Sequence, residues 1–566
     1  MAFAPSKYQQ DVFDWIDSQI SRNRTQTANL VVKAGPGSGK TTTLEQAAHR
    51  LPSTMRKNAL FVAFNKHIAE ELGRRLPPGM KAKTLHSAGM GSVIRWVEKN
   101  HPGWSPNFDR WIDSGWHRKL AQDWLMEHRD KLQLSDEEWR DTLEAIETLI
   151  DVCQLTVTDC RDTEQIWKLI EWYGLNDVAM HAEVAISALP SIFSRIVSEA
   201  YKTISFNEMI WLPVSQKLWI KQYDVVMADE SQDFNRCQRW LVKKMTARNG
   251  ITVWVGDPNQ AIYGFAYAST RSIEEIINET KADTLPLSIC YRCPSTHVAL
   301  ANEIIDAGIE ARPGAPEGEV THILDFQVAD QIERGDLVVC RVNAPLIPLC
   351  FELIRRKVGA KVKGTDIGRN LISLVEKIEK QRDDGINWQS PRESLREWAD
   401  EETKLLSQRI SDKIAAEMAI CNLLDKIETL IAIWEGNQPS TTAAMIQEIK
   451  ALFADHDAIV WLSTIHKAKG LEAQNVYILA PSKMPHPMAQ RPWEREQENN
   501  MKYIAVTRAK SRLTYVWSPG EPGCPPIPTE TKPESTEPEA TEPLTTEEVI
   551  KRIERGYRIL IPARAA

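Results

Sequence analysis

No apolar run in this 566-residue chain approaches the ~18 residues of a membrane-spanning helix, which argues against a transmembrane protein. The N-terminal stretch MAFAPSKYQQDVFDWI lacks the basic start and apolar core of a signal peptide. Cysteine is sparse: the nine cysteines are scattered and odd in number, which fits reduced thiols in a cytosolic compartment better than a disulfide framework. One C-x-x-C, Cys290 and Cys293, has no second pair and no histidine cluster, so metal binding is not expected there. A basic excess is also missing: 69 Lys and Arg stand against 77 Asp and Glu, for a net charge of −8. Indiscriminate coating of nucleic acid is thereby disfavoured, although a local basic groove is not. With 42% hydrophobic residues the chain can bury several cores, and about two to four domains are expected.

What is present, near the start, is LVVKAGPGSGKTTT at residues 30–43. The apolar run 30–32 suits a buried strand. Ala34, Gly35, Pro36, Gly37, Ser38 and Gly39 then lead to Lys40, Thr41 and Thr42. Glycines let backbone N–H groups converge on an anion, and the helix that follows adds its positive end. Lys40 is suited to the outer phosphates and the Thr41 hydroxyl to a magnesium ion. The strict form of this loop begins with Gly where this chain has Ala34, so the match is to its relaxed form. A nucleoside triphosphate with Mg²⁺ is the expected ligand pair.

A second strand signal at 225–227 ends in Asp229 and Glu230. Paired carboxylates at a strand end suit a magnesium-dependent NTPase, with Asp229 holding the metal and Glu230 polarising the attacking water. Residues 251–255 form another strand leading to Asp257 and Gln260, then to Tyr263 and Phe265, which offer aromatic faces to a base. Upstream, Gln9 either reads an adenine edge or is a solvated surface amide. The strand 58–64 ends in Phe64, Asn65 and Lys66, an arrangement for stacking a base and holding a phosphate, or in Phe64's case for core packing. At 82–87 a further strand end carries Thr84, His86 and Ser87 as phosphate or sugar contacts, though a lone His is usually structural. From 91 to 204 the pattern turns helical and Trp-rich, and those tryptophans are expected to be core residues.

Eight segments in order, AGPGSGKTT, FVAFNKHIAEEL, TLHS, VVMADESQD, VGDPNQAIYGF, LPLSICYRCP, LSTIHKAKGLE and MKYIAVTRAK, resemble the motifs of superfamily 1 DNA helicases of the UvrD, Rep and PcrA type. The wording FNKHIAEEL and TLHS is closest to a compact branch that includes phage helicases and the F-box DNA helicases. The resemblance implies an α/β fold of two RecA-like P-loop domains with parallel sheets, each interrupted by a mainly helical insertion. It further implies that the nucleotide is ATP, with adenine stacking on Tyr291, γ-phosphate contact by Arg292, DNA-backbone contact through Thr464 and His466, and ribose contact by Glu472 near Gly470. Arg508 falls at the arginine-finger position, where a guanidinium from a second domain neutralises the transferred phosphoryl group. Two departures stand out: Ala266-Tyr267-Ala268 replaces an Arg-Gly-Ala continuation, and Asn499-Asn500 replaces a pair of arginines. The first predicts an altered grip on DNA, and the second removes a subsidiary contact.

Domain limits expected from these features are 1–90 and 205–284 for domain 1A, 91–204 for insertion 1B, 285–368 and 454–518 for domain 2A, and 369–453 for a reduced 2B-like insertion. Residues 519–543, dense in Pro, Glu and Thr, read as a disordered linker. A short amphipathic helix follows within 544–566, which either docks back on the motor or binds a protein partner through 544–561. The expected activity is ATP-dependent translocation on single-stranded DNA with unwinding of tailed duplexes, by a monomeric core. The family implies 3′→5′ polarity, because the opposite branch tends to carry a Q-G pair where this chain has Lys469-Gly470-Leu471-Glu472. Location is expected in the cytoplasm of a bacterial or phage-infected cell, at the nucleoid. A translocase that strips proteins without useful unwinding is the alternative. Nothing resembles the nuclease domain of some relatives.

Overall fold

Side chains of a strand alternate between its faces, so a strand that is apolar throughout needs cover on both sides. Strand β1 (Ala28–Ala34) shows this: Leu30 and Val32 enter one core cluster while Val31 enters another. In the computed structural model, residues 4–527 are described apart from 23, 64, 265, 266, 268, 357, 383, 384, 410–412, 454–458, 488 and 490. Phe64, Phe265, Ala266 and the expected C-terminal helix therefore lie outside the described residues. Met1–Cys524 form one compact unit, and of the second, Pro525–Ala566, only residues 525–527 are described.

The first sheet adds β2 (Ala59–Ala63), β3 (Lys81–Thr84), β4 (Tyr223–Ala228), β5 (Thr246–Gly256) and β6 (Asp283–Leu287) in the order β3-β2-β4-β5-β1-β6, every neighbour parallel. A small pair follows, β7 (Ile289–Cys290) with β8 (Glu310–Ala311). The second sheet comprises β9 (Glu319–Leu324), β10 (Leu337–Cys340), β11 (Ala360–Val362), β12 (Val460–Thr464), β13 (Ala473–Leu479) and β14 (Ala509–Trp517), ordered β11-β12-β10-β13-β14-β9 and again all parallel. The α/β class with two parallel sheets is as expected. Residues 285–287, assigned above to the second domain, instead pair with β1 at the edge of the first sheet. Apolar patterning marks a strand without naming its neighbour, which is why this boundary was misplaced.

Both sheets are interrupted by helices. Between β3 and β4 stand Leu85–Asn100, Trp116–Glu127, Asp136–Thr156, Thr163–Tyr173, Ala182–Ser198 and Phe206–Ser215, among others. Trp111, Trp116 and Trp124 are buried in a core that also holds Val31, Leu60 and Val62 of the first sheet, and Trp96, Trp104 and Trp139 pack against it. Between β11 and β12 lie Thr365–Gln381, Pro391–Arg409, Lys413–Asn437 and Thr442–Leu452. No helix among the described residues is long and apolar enough to cross a membrane.

A buried ion cluster pins the first helical region. His117 Nδ1 meets Asp151 Oδ1 at 3.0 Å and its Nε2 meets Glu208 Oε1 at 2.7 Å, with Glu208 fully buried. Burial opposes charge on both, yet their attraction wins: His117 is raised to about 10 and Glu208 lowered to about 2. The His contribution is present in full below its ordinary value of 6.5 and fades as pH rises through about 10. The Glu contribution is present above 4.5 and fades as pH falls through about 2. His117→Ala leaves Glu208 buried and unpaired, so it is expected to cost about 3 kcal/mol by urea unfolding near pH 6. The cost should shrink toward pH 10, and a pH-independent cost would assign the effect to packing.

Candidate active site

Chemistry collects where parallel strands end at their carboxyl edges, and the loop after β1 stands there. Gly37 and Gly39 adopt positive φ of 61° and 79°, a conformation that a side chain resists. Their turn delivers the chain into helix Lys40–Arg50, while Ser38 Oγ donates to the Gly35 carbonyl at 2.8 Å to hold the loop. The Lys40 ammonium donates no side-chain hydrogen bond among the described residues. It faces Asp229, Glu230, Asp233 and Asp257 electrostatically instead, and so keeps its donors for a ligand.

At the end of β4, Thr41 Oγ1 donates to Asp229 Oδ2 at 2.7 Å. Burial and the adjacent Glu230 push Asp229 up to about 6. Glu230 is also penalised by burial, but Lys40 and Lys469 outweigh that and hold it at about 2. Its backbone is left-handed at φ 52°, rare for a residue with a side chain, and Gln232 Nε2 bonds its Oε2 at 2.5 Å. The Thr41 hydroxyl and the Asp229 carboxylate are hard oxygen donors beside negative charge, a set that fits magnesium.

Residues from the second sheet complete the opposite wall. Lys469 Nζ bonds Asp233 Oδ1 and Oδ2 at 2.7 and 2.6 Å and the Gln260 carbonyl at 2.6 Å. Arg292 Nε pairs with Glu472 at 2.5 Å, and Lys510 pairs with the same carboxylate at 2.5 Å. Arg508 is 2% exposed and donates to the Ile504 and Leu471 carbonyls at 3.1 and 3.3 Å and to Thr507 Oγ1 at 3.3 Å. Burial and the neighbouring Arg292 lower it to about 10. The Tyr291 amide donates to the Gly37 carbonyl at 2.9 Å, so the two walls meet through backbone as well. Between them lies a cavity of about 1120 Å³ lined by Gly37 to Thr42, Glu230, Gln260, Tyr291, Arg292, Gly470, Glu472 and Arg508. A smaller one of about 230 Å³ shares Thr41, Thr42 and Glu230 and adds Asp229.

Other expected contacts stand elsewhere. Gln9 is not solvated: it is buried in helix Lys7–Ile20 beside the loop, with Oε1 accepting from the Ser6 amide and Nε2 donating to Thr43 Oγ1 at 3.0 Å. Ala34, Gly35 and Pro36 are buried behind the loop. Asn65 and Tyr263, expected on DNA, both line the nucleotide cavity, where Asn65 caps helix Lys66–Arg75 and Lys469 sits 5.0 Å from the Tyr263 ring centre. Thr84 ends β3 and caps helix Leu85–Asn100, so His86 and Ser87 belong to a helical turn rather than to a strand end. His86 meets the exposed ring of Phe206 edge-on. Thr464 is buried at the end of β12, and burial with Arg341 and Lys467 lowers His466 to about 3.

Of the two departures, Tyr267 packs edge-on against Tyr173 of the helical insertion, ring centres 5.1 Å apart, and is not a free stacking face. Asn500 Nδ2 bonds the Ala261 carbonyl at 2.9 Å, tying helix Pro492–Val506 to the Gln260 turn. Sequence reasoning missed the Lys469–Asp233 bridge and the Tyr503 hydroxyl, which donates to Asp257 at 3.4 Å. Both pairs are more than 200 residues apart, beyond any local spacing rule.

Comparison with known families accords with this geometry. Residues 16–281 match a family described as UvrD/REP helicase N-terminal domain, and residues 459–516 match one described as UvrD-like helicase C-terminal domain. DNA helicase II of Escherichia coli is 22% identical over 656 residues, covering 90% of this chain and 85% of its own. F-box DNA helicase 1 of Gallus gallus is 23% identical over 526 residues, covering 88% of this chain and 48% of its own. DNA helicase II of Haemophilus influenzae is 20% identical over 414 residues, 53% of this chain and 56% of its own. The chain thus spans about half the length of the last two relatives.

Proposed function

We propose, from the premise that this chain belongs to the UvrD/Rep family of superfamily 1 DNA helicases, that it is an ATP-driven motor which advances 3′→5′ along single-stranded DNA and separates duplex ahead of it. The observation that carries this reading is the shared cavity: Lys40 and Glu230 follow strands of one sheet, while Arg508 precedes β14 of the other and Arg292 follows β7, so a bound triphosphate draws the two walls together. Lys40 holds the outer phosphates, and Glu230, ionised and aimed by Gln232, takes the proton of the attacking water. Arg508 and Arg292 stabilise charge on the transferred phosphoryl group. Thr41 and Asp229 would hold magnesium, which would supply charge neutralisation on the phosphates. Asp233 and Gln260, both clamped by Lys469, link the site to Tyr263 and onward to the strand track.

We keep the domain limits expected above, with 285–287 moved to the first sheet. We place the motor in the cytoplasm with its DNA. Tailed duplexes test direction and output together. A 3′-tailed duplex should be unwound at least about tenfold faster than a 5′-tailed one, and streptavidin on the tailed strand should be displaced on the same substrate. Displacement without strand separation would favour the protein-stripping translocase, which the short second insertion makes the natural alternative.

A further inference from the structure

The C-x-x-C pair sits against an arginine of the nucleotide cavity. Cys290 ends β7 and Cys293 follows, so the two thiols bracket Tyr291 and Arg292, and both are buried. The Cys293 amide donates to Cys290 Sγ at 3.3 Å. The Cys293 thiol donates to the Thr507 carbonyl at 3.5 Å, the same oxygen that Arg292 Nη1 reaches at 3.5 Å. The neighbouring Cys293 side chain, with the backbone amides of Cys293 and Arg292, outweighs burial and lowers Cys290 to about 6, while Cys293 is held well above the ordinary thiol range. Two thiols with two residues between them thus share one turn, with a backbone amide aimed at the Cys290 sulfur, an arrangement that favours the thiolate which oxidation requires. Cys153, Cys237, Cys340 and Cys350, by contrast, are raised by burial. No cluster of three His, Cys, Asp or Glu that could hold a metal includes the pair among the described residues.

We propose that Cys290 and Cys293 are a reversible oxidation site at which hydrogen peroxide forms an intramolecular disulfide and suspends ATP hydrolysis. The Cys290 thiolate attacks one peroxide oxygen, the O–O bond breaks, and the departing hydroxide takes a proton to leave as water, giving a sulfenic acid at Cys290. The Cys293 thiol then attacks that sulfur, forming the S–S bond and releasing a second water. Two thiols are oxidised and one peroxide is reduced to two waters. Peroxide enters when the Tyr291–Gly37 backbone bond opens, as the cleft parts between turnovers. Closing the disulfide takes Cys293 off the Thr507 carbonyl and turns the intervening bridge, which withdraws Arg292 from its place beside Glu472. A dithiol that enters as the cleft parts opens the disulfide by thiol exchange and restores the reduced state.

This inference rests on the reading of Arg292 as a nucleotide-site residue. The test exposes the full chain to hydrogen peroxide, blocks remaining thiols, maps the Cys290–Cys293 peptide by mass spectrometry and follows DNA-stimulated ATP hydrolysis before and after dithiothreitol. The expected result is a disulfide within that peptide, a rate at least about tenfold lower, and recovery on reduction. Cys290→Ser with Cys293→Ser should keep its rate through the same treatment, and Cys293→Ala alone serves if the double variant does not fold. Loss of activity with both thiols still alkylated, or equal loss in the variants, overturns the proposal. A reduced protein without DNA-stimulated hydrolysis refutes the functional reading and the switch with it. An active protein whose pair resists peroxide refutes the switch alone.

Discussion

Glu230→Gln is expected to lower DNA-stimulated ATP hydrolysis by about 10²–10⁴-fold while leaving ATP affinity within a few-fold of the parent. The amide preserves shape and can still bond Gln232, but it cannot accept a proton. Binding should survive because phosphate affinity comes from Lys40 and the backbone of the glycine loop, which the substitution does not touch. Removing a carboxylate from the group of Asp229, Asp233 and Asp257 also lessens repulsion of the nucleotide, so a modestly tighter KM fits the same account. Steady-state kinetics checks both parts. An unchanged kcat would remove Glu230 from the role of base.

Arg508→Ala is expected to reduce kcat by about 10³-fold, with a smaller change in KM. The structural reason is the company that Arg508 keeps: its hydrogen bonds go to two carbonyls and a hydroxyl, and among the described residues no carboxylate closes an ion pair on it. Its charge is therefore positioned but not consumed. An arriving phosphoryl group supplies the missing anion, and the low-dielectric surroundings that lower Arg508 to about 10 make that meeting strong. Arg508→Lys should recover little, because an ammonium cannot reproduce the planar fork that reaches Leu471 and Ile504 at once. Thermal unfolding separates this loss from a folding defect, since the lost bonds are few and the strand beyond stays paired.

Much of the site was legible because its chemistry is local. The turn through Gly37 and Gly39, the Thr41 hydroxyl that follows it and the Asp229-Glu230 step each follow from short segments whose residue types admit few uses. Parallel strands were legible for a similar reason, since β2 and β10 are apolar on both faces. What the chain's order hides is partnership. Residues 285–287 read equally well as the start of a second domain, and only pairing with β1 assigns them. Gln9 looked solvated because its capping bond is local but its burial is not, and nothing near Tyr263 in sequence announces the Lys469 beside its ring. Tyr267 is a further case, since only the fold shows that its ring packs edge-on against Tyr173, far back in the helical insertion.

The central claim is that one cavity, walled by both sheets, couples nucleotide to DNA. ATP hydrolysis by the full chain with and without single-stranded DNA tests it most directly. The expected result is a rise of about tenfold or more on adding DNA, abolished by Glu230→Gln. An equal rate with and without DNA would contradict it.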